Sequence, residues 1–219
     1  MTFEQPRDEG GRFIAPVTLV LIAINCGIYF LQRTYLLENT TSFLNTFALS
    51  ERGLSNGAFW QIITYGFIHG GLAHLFMNMA GLFFIGREME LILKPARYLL
   101  LYFSGGVLGG LLQVVLSPPN LQLIGASASV FAVMIAFTTL YPNVRITALI
   151  FFVIPLIMKA KVLGWGLVIV SVIFLFSGLE GEVGHLAHLG GCVVGFIFGL
   201  WWRPQIASLV PEVSIFKNE

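Results

Sequence analysis

Gly125-Ala126-Ser127-Ala128-Ser129 opens an apolar run that continues to Tyr141 without a charged side chain. A second run of the same character opens at Ala187-His188-Leu189-Gly190-Gly191. A helix needs roughly 20 predominantly apolar residues to cross the hydrocarbon core of a bilayer. Both runs approach that length, so each is predicted to be a transmembrane helix that carries a polar side chain near one end.

The composition of the whole chain supports a membrane setting. Of 219 residues, 57% are hydrophobic and only 11% are charged, and the mean hydropathy is +0.86. So few charged residues cannot cover a water-soluble surface. Cys26 and Cys192 both lie in apolar runs, which indicates no disulfide framework. The net charge of +1, without a basic block, gives no sign of a nucleic-acid partner.

Further apolar stretches of similar length predict an all-α, polytopic membrane protein. The six predicted spans cover about 14–32, 72–87, 98–116, 126–141, 162–178 and 185–202. The membrane domain is therefore expected at 14–202, between an N-terminal tail 1–13 and a C-terminal tail 203–219. Arg145 to Lys161 is also apolar, but it contains Pro155 and ends in two lysines. We expect it to be an interfacial or re-entrant segment.

The positive charges predict the orientation of the chain. If the N-terminus is cytoplasmic, most cations fall on cytoplasmic segments, as the positive-inside rule requires. This set is Arg7, Arg12, Arg87, Lys94, Arg97, Arg145, Lys159, Lys161, Arg203 and Lys217, against Arg33 and Arg52 outside. Both termini are therefore predicted to be cytoplasmic, and spans 2, 4 and 6 run in the same direction.

Polar residues in these three parallel spans are predicted to lie at one depth. At 1.5 Å per residue, His74, Ser127 and His188 each lie about 20 Å above the cytoplasmic boundary. Asn78 lies one turn below His74 on the same helix face. Polar groups at that depth are costly unless they face a polar cavity. We therefore expect these residues to share a cavity.

Serine and histidine at one depth are the residue types that acyl transfer requires. A neutral imidazole can take the proton of a serine hydroxyl, so Ser127 is the candidate nucleophile and His188 the candidate base. The developing oxyanion needs donors, which the Ser127 backbone N–H, His74 and Asn78 can supply. The only aspartate is Asp8 in the tail. The predicted catalytic unit is therefore a Ser-His dyad.

The order of these motifs resembles that of the rhomboid intramembrane serine proteases. His74-Leu75-Phe76-Met77-Asn78 is similar to their second-span motif, Gly125-Ala126-Ser127 to their nucleophile motif, and Ala187-His188 with Gly191, Gly195 and Gly199 to their sixth span. The resemblance implies a six-helix rhomboid-like bundle in a bacterial inner membrane. It also implies cleavage of a single-span membrane protein in or near its transmembrane segment, with no metal or other cofactor.

Two residues depart from the family pattern. Ala128 follows Ser127 where rhomboids usually have glycine, and Gln61 follows Trp60 where they usually have arginine. The resemblance implies that Phe131 and Ala128 belong to the substrate pocket, where a methyl group at position 128 would narrow the space beside the oxyanion site. Replacing arginine by Gln61 removes a rigid five-donor fork from the first loop.

The same residues have simpler interpretations. A serine at a helix start is often an N-cap, and Ser129 is expected to serve capping or packing. His185 competes with His188 as the base, although His188 directly precedes the Gly191 stripe that would let spans 4 and 6 approach closely. Glu88 and Glu90 are each expected to pair with a nearby cation. The candidate cations are Arg87, Lys94 and Arg97.

Other classes of function are less consistent with the chain. A zinc protease would carry His-Glu-x-x-His, which is absent from the sequence. A transporter would carry acidic residues or broken helices within its spans. The main alternative is a catalytically weak or inactive rhomboid-like protein that binds membrane clients, and such proteins usually lack the serine or the histidine. The oligomeric state is not encoded in any of these motifs.

Overall fold

The computed structural model describes residues 15–118, 121–150, 154–177 and 184–209. The predicted tails lie outside these ranges, except for residues 203–209. The loop at 178–183 lies outside them as well.

The described chain is built mainly from α-helices. They are α1 (Pro16–Phe47), α2 (Glu51–Ser55), α3 (Gln61–Thr64), α4 (Leu72–Gly81), α5 (Arg87–Leu116), α6 (Ser127–Leu140), α7 (Ala160–Ser177) and α8 (His185–Leu209). A 3-10 turn, Tyr65–Phe67, follows α3, and a π-helical turn, Leu82–Gly86, joins α4 to α5. The all-α polytopic prediction is confirmed.

Long apolar helices are present, as the composition requires. Helical segments long and apolar enough to cross a membrane are Pro16–Thr34, Leu72–Leu116, Ala160–Ser177 and His185–Ile206, and α6 is a shorter apolar helix. The predicted number of six spans is not settled by these lengths and stays a prediction.

The chain reverses direction inside α5. Lys94 has φ 69° and ψ 158°, far from helical values, and precedes Pro95. A proline disfavours the helical conformation in the residue before it. Beyond the break, Tyr98 packs against Gly86, since a Cβ on Gly86 would lie 2.7 Å from the Tyr98 hydroxyl. In a straight helix these two residues would be about 18 Å apart. The break at Lys94 therefore separates the predicted second and third spans.

Glycines bring α5 and α8 onto α6. Gly191 and Gly195 of α8 lie against the backbone of Ala128 and Ala132 of α6. Gly109 of α5 lies close enough to α8 that a Cβ there would be 2.6 Å from the carbonyl oxygen of Ala187. Any side chain at these glycines would force the helices apart. The predicted close approach of spans 4 and 6 is confirmed.

The helix connections define two ends of this bundle. The site end comprises the second half of α1, the segment 48–71 that precedes α4, and the starts of α6 and α8. The cationic end comprises the start of α1, the Lys94 break, the ends of α6 and α8, and the start of α7. Its described cations are Arg87, Lys94, Arg97, Arg145, Lys159, Lys161 and Arg203, whereas those of the site end are Arg33 and Arg52.

Glu90 holds the start of α1 at the cationic end. Its Oε1 accepts a hydrogen bond from the Val17 N–H at 3.0 Å, and its Oε2 accepts from the N–H and hydroxyl of Thr18 at 2.7 and 2.8 Å. Ala15, the N-cap residue, has no side chain that could satisfy these donors. The ion pair predicted for Glu90 is therefore wrong, because free N–H groups at a helix start attract its carboxylate.

An antiparallel hairpin connects α6 to α7. Its strands are β1 (Arg145–Ile150) and β2 (Ile154–Lys159), with Arg145 opposite Lys159. The prediction of an interfacial or re-entrant segment at this stretch does not include strands. The signal was an alternation with period two, in which Ile146 and Ala148 are half-buried while Arg145 and Thr147 are exposed.

Candidate active site

Ser127 and His188 are in direct contact. The Oγ of Ser127 lies 2.8 Å from Nε2 of His188, although the residues are 61 positions apart. Ser127 is the first residue of α6, and Ala126 occupies the N-cap position without a side-chain hydrogen bond. The N-cap interpretation of Ser127 is therefore wrong. Its hydroxyl is directed at an imidazole instead.

The register between α6 and α8 brings this pair together. Gly191 rests on the carbonyl of Ala128, the residue after Ser127. His188 precedes Gly191 by almost one helical turn, so its side chain extends from the same face of α8 towards the start of α6. The small-residue contact that joins the helices thus also aligns the two functional groups.

Aromatic rings fix the orientation of His188. Phe131 stacks on the imidazole with 4.3 Å between ring centroids and 13° between planes. His185 meets the same imidazole edge-on at 5.7 Å and itself stacks on Phe174 at 5.4 Å. Of the two candidate bases, the structure brings His188 to Ser127. Phe131 is a support for that base, and its predicted role in the pocket stays a prediction.

His74 lies against the segment that leads into Ser127. A Cβ on Gly125 would lie 2.6 Å from Cε1 and 2.7 Å from Nε2 of His74, and Gly125 has φ +117°. Only glycine adopts that backbone conformation readily and also leaves room for the ring. His74 of α4 therefore lies beside Gly125, which precedes the candidate nucleophile by two residues.

Asn78 lies deeper on the same helix. Gly81 of α4 faces Val130 of α6, since a Cβ there would be 2.7 Å from a Val130 methyl group. Asn78, between His74 and Gly81, is thereby placed beside the first turn of α6, and it is 4% exposed. One N–H of its amide donates to the His74 carbonyl at 3.0 Å. The other amide N–H is not used by that bond.

The start of α6 offers backbone donors. The first helical hydrogen bond runs from Val130 N–H to the Ala126 carbonyl at 3.0 Å. The N–H groups of Ser127, Ala128 and Ser129 precede it and have no acceptor within the helix. They carry partial positive charge. An oxyanion beside Ser127 would therefore meet donors from the backbone.

Ala128 and Ser129 face α5. A Cβ on Gly109 would lie 2.9 Å from the Ala128 methyl group, and Ala128 is 1% exposed. The predicted pocket position of the Ala128 side chain is therefore wrong, because a methyl group between helices cannot narrow the space beside Ser127. The Ser129 hydroxyl lies against Gly106, as expected of a packing residue.

Two polar residues that support the site were missed from the sequence. Gln32 donates to the His69 carbonyl at 2.7 Å and accepts from the His69 N–H at 3.1 Å. The Tyr65 hydroxyl donates to the Gly106 carbonyl at 2.6 Å, and the Tyr65 carbonyl accepts from the Gly125 N–H at 2.9 Å. For Gln32 the available signal was an amide side chain inside an apolar span, because such a group is costly unless it is hydrogen-bonded.

His69 lies between Gln32 and His74 and contacts both residues. It is fully buried, and its ring meets the His74 ring edge-on with 5.0 Å between centroids. Burial, with His74 as a smaller cause, lowers the pKa of His69 to about 4. Its ring is therefore neutral at physiological pH and packs against His74 without charge repulsion.

Gln61 is a buried tie within the first loop. Its amide donates to the Asn45 carbonyl at 2.8 Å, and its Oε1 accepts from the Ser50 N–H at 3.2 Å. The neighbouring Trp60 indole donates to the Thr46 carbonyl at 2.7 Å. A neutral side chain suits this position, since it is fully buried. At position 61 this chain thus has a neutral amide where rhomboids usually have a charged guanidinium group.

Comparison with known proteins identifies a family and several relatives. The family model described as Rhomboid domain matches residues 56–205. The rhomboid protease GluP of Bacillus subtilis is 27% identical over 182 residues, or 82% of this chain and 33% of GluP. RHOMBOID-like protein 12, mitochondrial, of Arabidopsis thaliana is 28% identical over 198 residues, or 83% of this chain and 56% of that protein.

One relative differs in what its name says about activity. Inactive RHOMBOID-like protein 8 of Arabidopsis thaliana is 29% identical over 178 residues, or 75% of this chain and 45% of that protein. The chain spans between a third and just over half of the length of these three relatives. Relatives named as protease and as inactive are similarly close, so identity alone does not decide activity.

Proposed function

Since the chain belongs to the rhomboid family, we propose that it is an intramembrane serine endopeptidase that uses Ser127 and His188. The observation that carries this proposal is the 2.8 Å contact between the serine hydroxyl and the imidazole. The substrate is a single-span membrane protein, cut in or near its transmembrane segment. The proposed setting is a bacterial inner membrane, and the charge asymmetry between the two ends supports an orientation with both termini in the cytoplasm.

The dyad performs acyl transfer in two halves. Nε2 of His188 takes the hydroxyl proton as Oγ of Ser127 attacks the peptide carbonyl carbon. The C–N bond then breaks, and His188 gives that proton to the leaving amine. In the second half, His188 deprotonates a water that attacks the acyl-serine ester, and the ester bond breaks with return of the proton to Ser127. Stacking on Phe131 keeps the imidazole aligned through both halves.

Donors near the start of α6 stabilise the oxyanion in this proposal. The Ser127 N–H, His74 and Asn78 supply them, because His74 lies on Gly125 and Asn78 lies beside the first turn of α6. Donors that are already in place stabilise the developing charge without reorganisation. The Asn78 amide donates one N–H to the backbone carbonyl of His74, which fixes the Asn78 side chain along α4.

The test is cleavage of a model single-span substrate in proteoliposomes. Ser127→Ala and His188→Ala should each abolish cleavage, whereas Ser129→Ala should retain it, because the Ser129 hydroxyl faces α5. Each variant should unfold at a denaturant concentration close to that of the original protein. Cleavage that persists in Ser127→Ala or His188→Ala would contradict the dyad.

A catalytically weak or inactive client-binding protein is the second candidate. The similarity to Inactive RHOMBOID-like protein 8 favours it. The same assay distinguishes the two functions. A client-binding protein would retain the model substrate in co-purification without cutting it, and Ser127→Ala would not change its behaviour.

A further inference from the structure

The β1–β2 hairpin has one face on the bundle and one face that the described residues leave open. Ile146 packs against the core, and its cross-strand partner Met158 is half-buried. The opposite face carries Arg145, Thr147 and Lys159, all exposed, together with Ile157 at 69% exposure. This outward face therefore combines cations with a large apolar side chain.

The cations of this face have no anionic partner among the described residues. Arg145 lies directly opposite Lys159, and Lys161 follows at the start of α7. Like charges opposite each other in an antiparallel pair are unfavourable. The sequence contains no acidic residue between Glu90 and Glu180. The Glu90 carboxylate is already bound to the start of α1. An external anion would relieve the repulsion.

The hairpin is fixed at the level where α6 and α7 meet the cationic end. The Ala160 N–H donates to the Val144 carbonyl at 2.8 Å, and the Lys161 N–H donates to the Pro142 carbonyl at 3.0 Å. Ala160 is fully buried in the core cluster that also contains Leu140. These contacts hold the base of the hairpin at the helix ends, so it cannot move away from the bundle without breaking them.

Physical chemistry restricts the layer in which such a hairpin can lie. A two-stranded sheet has an open edge on each strand, and open edges are not tolerated within the hydrocarbon core. The exposed Ile157 and the 43% exposed Leu156 instead favour an apolar environment over water. Only the interfacial layer accepts both features, and it also contains phosphate groups.

We propose that this hairpin lies in the headgroup layer of the leaflet at the cationic end and binds anionic phospholipid. Arg145, Lys159 and Lys161 bind the headgroup phosphates, while Ile157 rests against the upper acyl chains. Cations near an anionic membrane surface each add attraction to it. This site lies at the opposite end of the bundle from Ser127, and it does not depend on the protein being a protease.

A fluorescent label at position 157 tests the proposal. Ile157→Cys is introduced with Cys26→Ser and Cys192→Ser, labelled with an environment-sensitive NBD group, and reconstituted in vesicles of phosphatidylcholine and phosphatidylglycerol. The label should emit as in an interfacial environment. Nitroxide near the headgroup should quench it more than nitroxide at mid-chain, and spin-labelled phosphatidylglycerol several-fold more than spin-labelled phosphatidylcholine.

Charge variants then distinguish the effect of the hairpin cations on lipid preference from the effect of the protein's overall charge. In the triple variant Arg145→Gln, Lys159→Gln and Lys161→Gln, the two spin-labelled lipids should quench the fluorescence of the label equally. Arg33→Gln with Arg52→Gln, which removes the described cations of the site end, should leave the preference intact. High salt should weaken the preference in the labelled protein without these charge substitutions, so the result does not depend on whether the triple variant folds.

Several outcomes would overturn the lipid site. These are water-like emission from position 157, strongest quenching at mid-chain, or equal quenching by the two lipids. Repeating the measurement in a Ser127→Ala background should give the same values. Loss of proteolysis with lipid preference retained would therefore leave the hairpin proposal standing, even if the proposed function failed.

Discussion

At the site end of the bundle the helices meet through bare backbone, whereas at the cationic end a carboxylate holds one helix to another. Gly109 and Gly191 let α5 and α8 contact α6 beside Ser127, and a serine hydroxyl and a histidine imidazole meet there. At the other end Glu90 binds the start of α1 across 72 positions of sequence. Buried polar side chains therefore serve two purposes in this protein. At the site end they are the candidate reactive groups, and at the cationic end they anchor a helix.

The first prediction removes the anchor of the cationic end. Glu90→Ala should destabilise the protein by about 3 kcal/mol, because it leaves the buried N–H and hydroxyl of Thr18 and the half-buried N–H of Val17 without an acceptor. The midpoint of denaturant unfolding in detergent measures this loss. Glu88→Ala is the matched control, since Glu88 is exposed and two residues away. Turnover per folded molecule should stay the same, and a large fall in turnover would show that the two ends are coupled.

The second prediction tests the polar groups of the site end. Asn78→Ala should slow turnover by about 2–4 kcal/mol in activation free energy, with less effect on KM, if its donor acts mainly in the transition state. Initial rates over a range of substrate densities in vesicles separate kcat from KM. Met77→Ala, on the same helix with 58% exposure, should change neither. An unchanged turnover in Asn78→Ala would show that Asn78 does not stabilise the oxyanion.

Sequence alone predicted the reactive pair better than its supports. Ser127 and His188 stand in motifs whose spacing and helix context are local, so their proximity could be inferred from span order. The bonds of Gln32 to His69 and of Glu90 to Thr18 cross 37 and 72 positions, and no local pattern reveals them. Ala128 was placed in the pocket because it follows the nucleophile, but adjacent residues on a helix point in different directions.

The elements of the fold were predictable to different degrees. Apolar length indicated the spanning helices, because hydrocarbon thickness sets it. The hairpin at Arg145–Lys159 was not predicted as strands, since a short apolar run with Pro155 fits several conformations. The start of α1 and the break at Lys94 lie at Pro16 and Pro95, which are local signals in the sequence. The extension of α1 to Phe47 has no such signal, because that part is not apolar enough to indicate a span.

The third prediction loosens the first loop at the site end. Gln32→Leu should cost about 1–3 kcal/mol of stability, because it leaves the buried N–H and carbonyl of His69 without partners. It should also lower kcat, since the His69 ring would no longer hold His74 in place. Gln122→Leu is the control, because it removes a more exposed side-chain bond to Asn45. A fall in stability without any fall in kcat would make Gln32 a purely structural tie.

The fourth and smallest effect concerns the residue that follows the nucleophile. Ala128→Gly should cost about 1–2 kcal/mol of stability, from the lost methyl contact with Gly109 and the lower helix propensity of glycine. Ala73→Gly, at an exposed position of α4, measures the propensity part alone. Cleavage preference over a panel of substrates should not change. A changed preference would show that the Ala128 methyl group does contribute to the substrate pocket.

Covalent labelling of the site serine tests the central claim most directly. A fluorophosphonate probe is added to the reconstituted protein, and the modified residue is located by peptide mass spectrometry. The dyad predicts an adduct on Ser127, no adduct in Ser127→Ala, and a large loss of labelling in His188→Ala. An adduct on another serine, or undiminished labelling in either variant, would contradict it.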